Sequence, residues 1–248
     1  MMRGKGRTAG RAHGVLALAV STTLVAGCGD GRGDPPPRPT AGPAVTTCVT
    51  SSGGLVADLN GDGSPDRVSP PSLTGTDLVL TFGADDGRET QVAPRQLVGD
   101  RGEDTDIVVA VVADFDQDGW VDLYISATRD SIGDDPELPS VSELRLGPFS
   151  PRGQGQGDHQ VDLYEPHAAA VADYDHDRYP DLAAYIYEGD GVYSTVARLG
   201  GAKGLDRSAH EENQRYAKLT ERGSVPDGPA VTDWTTFHPT CDGDDARS

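Results

Sequence analysis

Positively charged side chains are scarce in this sequence of 248 residues. Lysine and arginine together number 21 against 40 aspartate and glutamate residues, which gives a net charge of −19. Proteins that bind nucleic acids or anionic lipid surfaces neutralise phosphates with clustered cations, so this composition argues against both classes. The excess of carboxylates points instead to the binding of cations.

Long stretches free of helix breakers are also rare. Glycine accounts for 32 residues and proline for 18, so these two types fill 50 of the 248 positions. Both residues destabilise helix interiors, which argues against a helical bundle. The composition instead favours an all-β protein with many turns.

The familiar motifs of enzymes are missing as well. The sequence contains no nucleophile elbow, no HExxH pattern, no phosphate-binding loop and no histidine pair at metal-ligand spacing. The acid or base candidates have no supporting pattern around them; they are His159, Asp162, His167, His210 and Glu211. We therefore predict a binding module rather than an enzyme, with an exported enzyme that acts on a polymer as the alternative.

The N-terminus has the pattern of an export signal over residues 1–27. Four basic residues precede an apolar run at residues 15–26, which is too short to span a bilayer as a mature helix. The run ends in Leu-Val-Ala-Gly-Cys, which resembles the lipobox of bacterial lipoproteins. The resemblance implies cleavage before Cys28, lipidation of its thiol, and attachment to the outer face of the bacterial plasma membrane. An ordinary secretory signal is the alternative.

The remainder of the chain divides by composition. Residues 28–43 are rich in glycine and proline and predict a flexible tether, and residues 242–248 predict a disordered tail. Residues 44–241 form the predicted folded region, with Cys48 near its start and Cys241 at its end. In an oxidising compartment we predict a disulfide between them, which requires Cα atoms within about 7 Å. Two unpaired buried thiols are the alternative.

An acidic segment recurs three times in the folded region. The segments begin at Asp58, Asp114 and Asp173, so they are 114 − 58 = 56 and 173 − 114 = 59 residues apart, and a fourth lead-in at Asp233 lacks the acidic residues. A strand ending in glycine follows each segment, at Gly83, Gly147 and Gly200. Each unit predicts four short strands, which for the second unit we place at residues 107–113, 122–127, 141–146 and about 160–164. Four strands per unit of this length is typical of propeller blades.

These segments resemble the calcium loops of the FG-GAP or VCBS repeat family, the β-propellers of integrin α-subunit heads and many bacterial surface proteins. The family motif, Asp-x-Asp-x-Asp-Gly-x-x-Asp-Leu, is complete only at residues 114–123; the first loop has Asn60 and Arg67 in place of Asp and Leu, and the third has Arg178 in place of Gly. The resemblance implies a small or partial β-propeller of three four-stranded blades. For a composite fourth blade we expect strands near residues 44–50 and 228–237 to pair. The alternative is a truncated fourth blade in an open arc that docks on a second copy or on another protein.

The spacing of the acids suits Ca²⁺, which takes six to eight oxygen ligands. In each loop we predict ligands from the side chains at positions 1, 3, 5 and 9 and from the carbonyl at position 7. Loop one offers Asp58, Asn60, Asp62, Ser64 and Asp66; loop two offers Asp114, Asp116, Asp118, Trp120 and Asp122; loop three offers Asp173, Asp175, Asp177, Tyr179 and Asp181. We expect two or three ions. Metal-free turns held by side-chain hydrogen bonds are the alternative, and loop three is the weakest candidate because Arg178 stands where glycine is preferred.

Together these features predict a lipid-anchored, calcium-binding module on the cell surface that acts in ligand binding or adhesion. Inserts at residues 130–140 and 148–158 would present a surface to a protein or glycan ligand. We expect contact with the membrane through the lipid anchor only, and no nucleic-acid partner. A scaffolding subunit of a membrane complex is a further alternative.

Overall fold

The computed structural model describes residues 37, 39–72, 75–104, 106–129, 133–205 and 232–242. Within them the chain is all-β with one short α-helix, as the composition predicts. No helix in this described part has the length and apolar character needed to cross a bilayer. The predicted export signal, Cys28, most of the predicted tether and residues 243–248 of the predicted tail lie outside the described residues.

Three antiparallel sheets follow one another along the chain. The first contains β1 (Cys48–Val49), β2 (Leu55–Ala57), β3 (Asp66–Val68), β4 (Leu80–Gly83) and β5 (Glu89–Val92), paired in that order. The second contains β6 (Asp106–Ala113), β7 (Asp122–Arg129), β8 (Val141–Arg145) and β9 (Asp158–Gln160). The third contains β10 (Pro166–Ala172), β11 (Asp181–Gly189) and β12 (Val192–Arg198). The helix α1 (Pro94–Val98) links the first two sheets, and a 3₁₀ turn spans Trp234–Thr236.

The strands predicted in the second unit agree with β6, β7 and β8. The fourth strand, β9, covers Asp158–Gln160, so it ends at the residue where the sequence predicts the strand to begin. Its three residues are all exposed, so no buried alternation marks it in the sequence.

Each acidic segment connects the two strands of a hairpin, which are β2 and β3, β6 and β7, and β10 and β11. The residue before the segment pairs with the last aspartate of the segment in all three sheets: Ala57 with Asp66, Ala113 with Asp122, and Ala172 with Asp181. Because the register is the same in each hairpin, the first and ninth positions of each loop are brought to the same end of the strand pair. The hairpin thus gathers the carboxylates at one site.

The hydrophobic core lies between neighbouring sheets. Leu123 and Ile125 of β7 face a cluster shared with the first sheet, while Tyr124 of β7 faces a second cluster shared with the third sheet. Alternate side chains of a strand point to opposite faces of the sheet, so β7 contributes to both clusters. The second sheet is therefore covered on both faces, which accounts for the nearly continuous apolar run of β6.

The two ends of the folded region meet. Cys48 and Cys241 form the predicted disulfide, with Cα atoms 4.9 Å apart. Beside it, the backbone N–H of Val49 donates to the carbonyl of Pro239 at 2.8 Å, and that of Cys241 donates to the carbonyl of Val49 at 2.9 Å.

The predicted composite fourth blade does not form within the described residues. The N-terminal strand is only β1, and it pairs with β2 as a fifth strand of the first sheet. Residues 228–231 of the predicted partner strand lie outside the described residues. Trp234–Thr236 forms a 3₁₀ turn instead of a strand. This turn buries the indole of Trp234, whose N–H donates to the carbonyl of Val112 at 3.2 Å. Apart from the disulfide and its neighbouring hydrogen bonds, strand pairing between the two ends is limited, among the described residues, to one parallel bridge between Val49 and Thr240.

Candidate metal centre

The three acidic loops share one backbone conformation. Positions 4 and 6 of each loop have a positive φ: Gly61 (76°) and Gly63 (85°), Gln117 (56°) and Gly119 (94°), His176 (61°) and Arg178 (77°). Glycine adopts this left-handed region freely, whereas other residues pay a conformational cost. The sequence predicts a sharp turn at the sixth position but not at the fourth, for which Gly61 is the one signal.

The sharp turn at position 6 anchors the first aspartate of each loop. The backbone N–H at position 6 donates to Oδ2 of that aspartate at 3.1 Å in loop one, 3.0 Å in loop two and 3.2 Å in loop three. The acceptors are Asp58, Asp114 and Asp173. The left-handed conformation thus turns the loop backbone towards its own first carboxylate.

The ninth position is held on both sides by backbone N–H groups. In loop one, Asp66 Oδ2 accepts from the N–H of Leu59 at 2.8 Å and Oδ1 accepts from that of Gly83 at 2.7 Å. Asp122 and Asp181 have equivalent pairs of bonds, whose donors are Phe115 and Gly147 for Asp122 and Tyr174 and Gly200 for Asp181. The strand-ending glycines therefore belong to the same structural unit as the acidic loops, a connection that the sequence pattern alone does not predict.

Steric contact explains why these three positions are glycine. A Cβ atom on Gly83 would lie 2.6 Å from the carbonyl oxygen of Pro65, which precedes Asp66. Gly147 and Gly200 approach the equivalent carbonyls, those of Val121 and Pro180. A side chain would push the strand away and separate the N–H group from its carboxylate acceptor.

Carboxylate oxygens converge in loops two and three. Asp114, Asp116 and Asp122 each offer one oxygen, and these oxygens lie within 4.8 Å of one another; Asp173, Asp175 and Asp181 form an equivalent group. The Oδ1 atom of Asp173 is buried and has no hydrogen-bond partner among the described residues. An all-oxygen donor set with a buried, unsatisfied carboxylate oxygen fits a hard divalent cation. Either group could hold a metal ion.

Loop one has a weaker set of donors. Its third position is Asn60, so the place of the second carboxylate is taken by a neutral amide, whose Nδ2 donates to Asp62 Oδ2 at 3.0 Å. The side-chain charge is −3 in loop one and −4 in each of the others.

The predicted ligands at positions 5 and 7 are joined to each other in every loop. The carboxylate at position 5 accepts from the backbone N–H at position 7, at 2.7 Å in loop one and 2.9 Å in loops two and three. The pairs are Asp62 with Ser64, Asp118 with Trp120, and Asp177 with Tyr179. These bonds shape the end of the loop, and the fifth-position carboxylates are not part of the converging groups found among the described residues.

Burial makes several of these carboxyl groups difficult to ionise. It raises the pKa of Asp66, Asp114 and Asp181 to about 7, with further upward contributions from neighbouring aspartates in the same loop. The pKa of Asp122 is raised well above its usual value, and that of Asp58 is raised, again mainly by burial. A nearby divalent cation favours the ionised form and would oppose these shifts.

Comparison with known proteins does not assign the loops to a family. No family model and no curated protein matches this sequence. Interpretation of the site therefore depends on the geometry of its residues.

Loops two and three border a common cleft of about 470 Å³. Asp114 and Gln117 line it from loop two, Asp173 and Arg178 from loop three, and His238 from the C-terminal segment. The side chain of Gln117 crosses between the loops, and its Nε2 donates to the carbonyl of Arg178 at 2.6 Å.

The acid and base candidates are not gathered into this cleft. His167 lies on the third sheet, where its ring contacts Tyr193 at a centroid distance of 5.4 Å and its Nε2 lies 3.3 Å from Glu165. His159 is on β9, Asp162 lines a separate cavity beside that strand, and His210 and Glu211 lie outside the described residues. Within the described part of the chain, the converging groups contain aspartates and no histidine.

Proposed function

We propose that this protein is a calcium-stabilised β-propeller module, held by a lipid anchor at the outer face of the bacterial plasma membrane, that acts in ligand binding or adhesion. The observation that carries the calcium proposal is the recurrence of one oxygen group, from positions 1, 3 and 9, in loops two and three. Loop one repeats the conformation with one carboxylate fewer. A structural role for the ion follows from the position of the loops at the hairpins of all three sheets.

Calcium suits these loops better than magnesium does. Ca²⁺ accepts six to eight oxygens in flexible geometry, whereas Mg²⁺ demands a near-ideal octahedron and usually shares its shell with substrate phosphates. The converging side chains at positions 1, 3 and 9 would hold the ion, and the fifth-position side chain and the seventh-position carbonyl, which the sequence predicts as further ligands, would complete its shell. Bound calcium would neutralise carboxylates that otherwise repel one another, so metal binding and folding should be coupled.

The propeller is supported by the relation of the first strands. β6 and β10, the first strands of the second and third sheets, lie next to each other. The C-terminal segment contacts both of them: Trp234 donates to the carbonyl of Val112, and the N–H of Val171 donates to Oγ1 of Thr232 at 2.9 Å. In a propeller the sheets are arranged radially around a central channel. In such a ring the Cys48–Cys241 disulfide would join the two ends of the folded region, and a disulfide agrees with an exported protein.

A cavity of about 320 Å³ beside β8 and β9 supports the ligand-binding part of the proposal. Leu138 and Tyr164 line it with 71% and 51% of their surfaces exposed, and both are large apolar side chains. Arg101 and Asp158 add charges of both signs to the same lining. Leu138 belongs to one of the two inserts predicted to present a binding surface, and Asp158 ends the other. The rest of the lining is mainly polar, so the cavity offers a ligand such as a glycan unit both apolar contacts and hydrogen-bonding groups.

The calcium proposal is tested by exchanging the third-position residues of loops one and two. Asp116→Asn gives loop two the donors of loop one, and Asn60→Asp gives loop one the donors of loop two. Asp77→Asn, at an exposed residue outside the loops, is the control. Calcium binding is measured by titration calorimetry, and stability by thermal melts with calcium and with chelator.

With a Kd of about 0.1 mM and about 1 mM calcium, each site should add roughly 1.4 kcal/mol to the free energy of unfolding. For a chain of this size, that is a rise in Tm of about 3–6 °C per site. Asp116→Asn should lose most of the calcium-dependent stabilisation and Tm increase that one site supplies. Asn60→Asp should increase the calcium affinity of loop one. Equal melts in calcium and chelator would refute the proposal.

The anchoring and ligand-binding parts need separate measurements on the full chain. Cys28→Ser should release the protein from the membrane fraction if this cysteine carries the lipid. Signal on a glycan array would support a surface binder, whereas a stoichiometric membrane protein in a pull-down would support scaffolding. Polymer turnover that is lost in His167→Ala with calcium binding retained would favour the enzyme.

A further inference from the structure

We infer that Gln117, a residue of loop two, is a positioning residue for the metal site of loop three. The inference rests on the proposed binding of metal ions by these loops, and it adds a dependence of one site on its neighbour. Gln117 is at the fourth position of its own loop and is not one of the predicted ligands. Its side chain acts across the cleft between the two loops.

Loop three has an unfavourable residue at its sharpest turn. Its sixth position is Arg178 with a φ of 77°, whereas the equivalent residues of loops one and two are Gly63 and Gly119. A residue with a Cβ atom resists this left-handed conformation, so loop three needs an interaction from outside to hold it. The conformation matters for metal binding because the N–H of Arg178 donates to the ligand Asp173.

Gln117 supplies that interaction. Its Nε2 donates to the carbonyl oxygen of Arg178 at 2.6 Å, 61 residues away in the sequence. Arg178 is therefore held through its carbonyl by loop two, while its own N–H donates to Oδ2 of Asp173 at 3.2 Å. The two bonds form a continuous path from loop two to the first ligand of loop three.

The position of Gln117 depends in turn on the conformation of loop two. Its backbone N–H approaches the carbonyl of Asp114, the first ligand of loop two, at 3.4 Å, and its φ of 56° is also left-handed. A metal ion that orders loop two therefore orders the donor that loop three requires. Since coupling between two binding equilibria is reciprocal, occupation of loop three should also favour loop two.

The test uses one variant that removes the hydrogen-bond donor of Gln117 and a second that removes the backbone strain at Arg178. Gln117→Met keeps the length of the side chain but cannot donate, and Arg178→Gly relieves the left-handed strain. Asp175→Asn identifies the loop-three site as the one that it weakens in a calcium titration of the full chain. Melts in chelator check that each variant still folds.

Gln117→Met should weaken calcium binding at loop three by about three- to tenfold, the effect of one lost hydrogen bond. In the Arg178→Gly background, the same substitution should change that affinity by less than about twofold, because glycine no longer needs the bond. An unchanged loop-three affinity in Gln117→Met, or an equal loss in both backgrounds, would overturn the inference. If the unaltered protein binds no calcium at all, the proposed function fails first, so the two failures are distinguishable.

Discussion

The strand-ending glycines provide a sharp test of how the acidic loops are attached to the sheets. Gly83 ends β4, and its N–H donates to Oδ1 of the buried Asp66 at 2.7 Å. A methyl group at this position would lie 2.6 Å from the carbonyl oxygen of Pro65, closer than a carbon atom can approach. Gly83→Ala must therefore move β4 away from the loop and lengthen the hydrogen bond to Asp66.

The cost has two parts. Forcing an extra methyl group into a packed site typically costs about 1–3 kcal/mol. Weakening a hydrogen bond to a buried carboxyl group adds about 0.5–1.5 kcal/mol, and more where the group is ionised. We expect a combined loss of about 2–4 kcal/mol, which corresponds to a fall in Tm of about 5–15 °C for a chain of this size.

The control is Gly157→Ala. Gly157 lies beside β9, and a Cβ atom there would meet only the side chain of His159 at 3.7 Å, an ordinary van der Waals contact. Chemical denaturation and thermal melts in chelator measure both variants without any contribution from calcium. If Gly83→Ala loses no more stability than Gly157→Ala, the proposed role of the glycine is wrong.

Two further predictions concern the disulfide and the buried carboxyl groups. Replacing Cys48 and Cys241 together by serine opens a loop of 193 residues, and the chain-entropy model gives a loss of up to about 5 kcal/mol; an unchanged denaturation midpoint would contradict this. Burial raises the pKa of Asp66, Asp114 and Asp181 to about 7, so in the metal-free protein the folded state holds more protons than the unfolded state between about pH 4 and pH 7. The stability of the chelated protein should therefore fall as the pH rises through that window and should not fall in saturating calcium; a chelated protein that gains stability over the same window would argue against these shifts.

Much of the candidate site could be predicted because its determinants are local. The ligand-type residues of loop two occur within nine consecutive positions, and a tight turn between two strands is sufficient to gather them. The all-β fold follows from composition and from strands that are short and apolar. The disulfide could be predicted by counting, since Cys48 and Cys241 are the two cysteines that remain after the N-terminal one is assigned to the lipid anchor.

Other features depend on which strands become neighbours, and this is decided by packing. The bonds from Gly83, Gly147 and Gly200 to the ninth-position aspartates span 17, 25 and 19 residues, and the bond from Gln117 to Arg178 spans 61. The recurrence of the glycines marks their positions in the sequence but does not identify their acceptors. The glycine bonds form when the next strand joins the same sheet, whereas the Gln117 bond forms only after the second and third sheets have packed.

The two ends of the folded region also combine features that the sequence predicts with features that only packing decides. The sequence patterns correctly predict the hairpins, and the number of cysteines correctly predicts the disulfide. The same patterns predict a strand at residues 228–237, and this prediction is wrong at Trp234–Thr236. The burial of Trp234 between the sheets and its bond to Val112 favour a 3₁₀ turn instead, and β1 joins the first sheet. Local patterning in the sequence therefore determined the hairpins and their acidic loops. The arrangement of the hairpins, and the bonds between them, came from the burial of side chains that no single segment can bury alone.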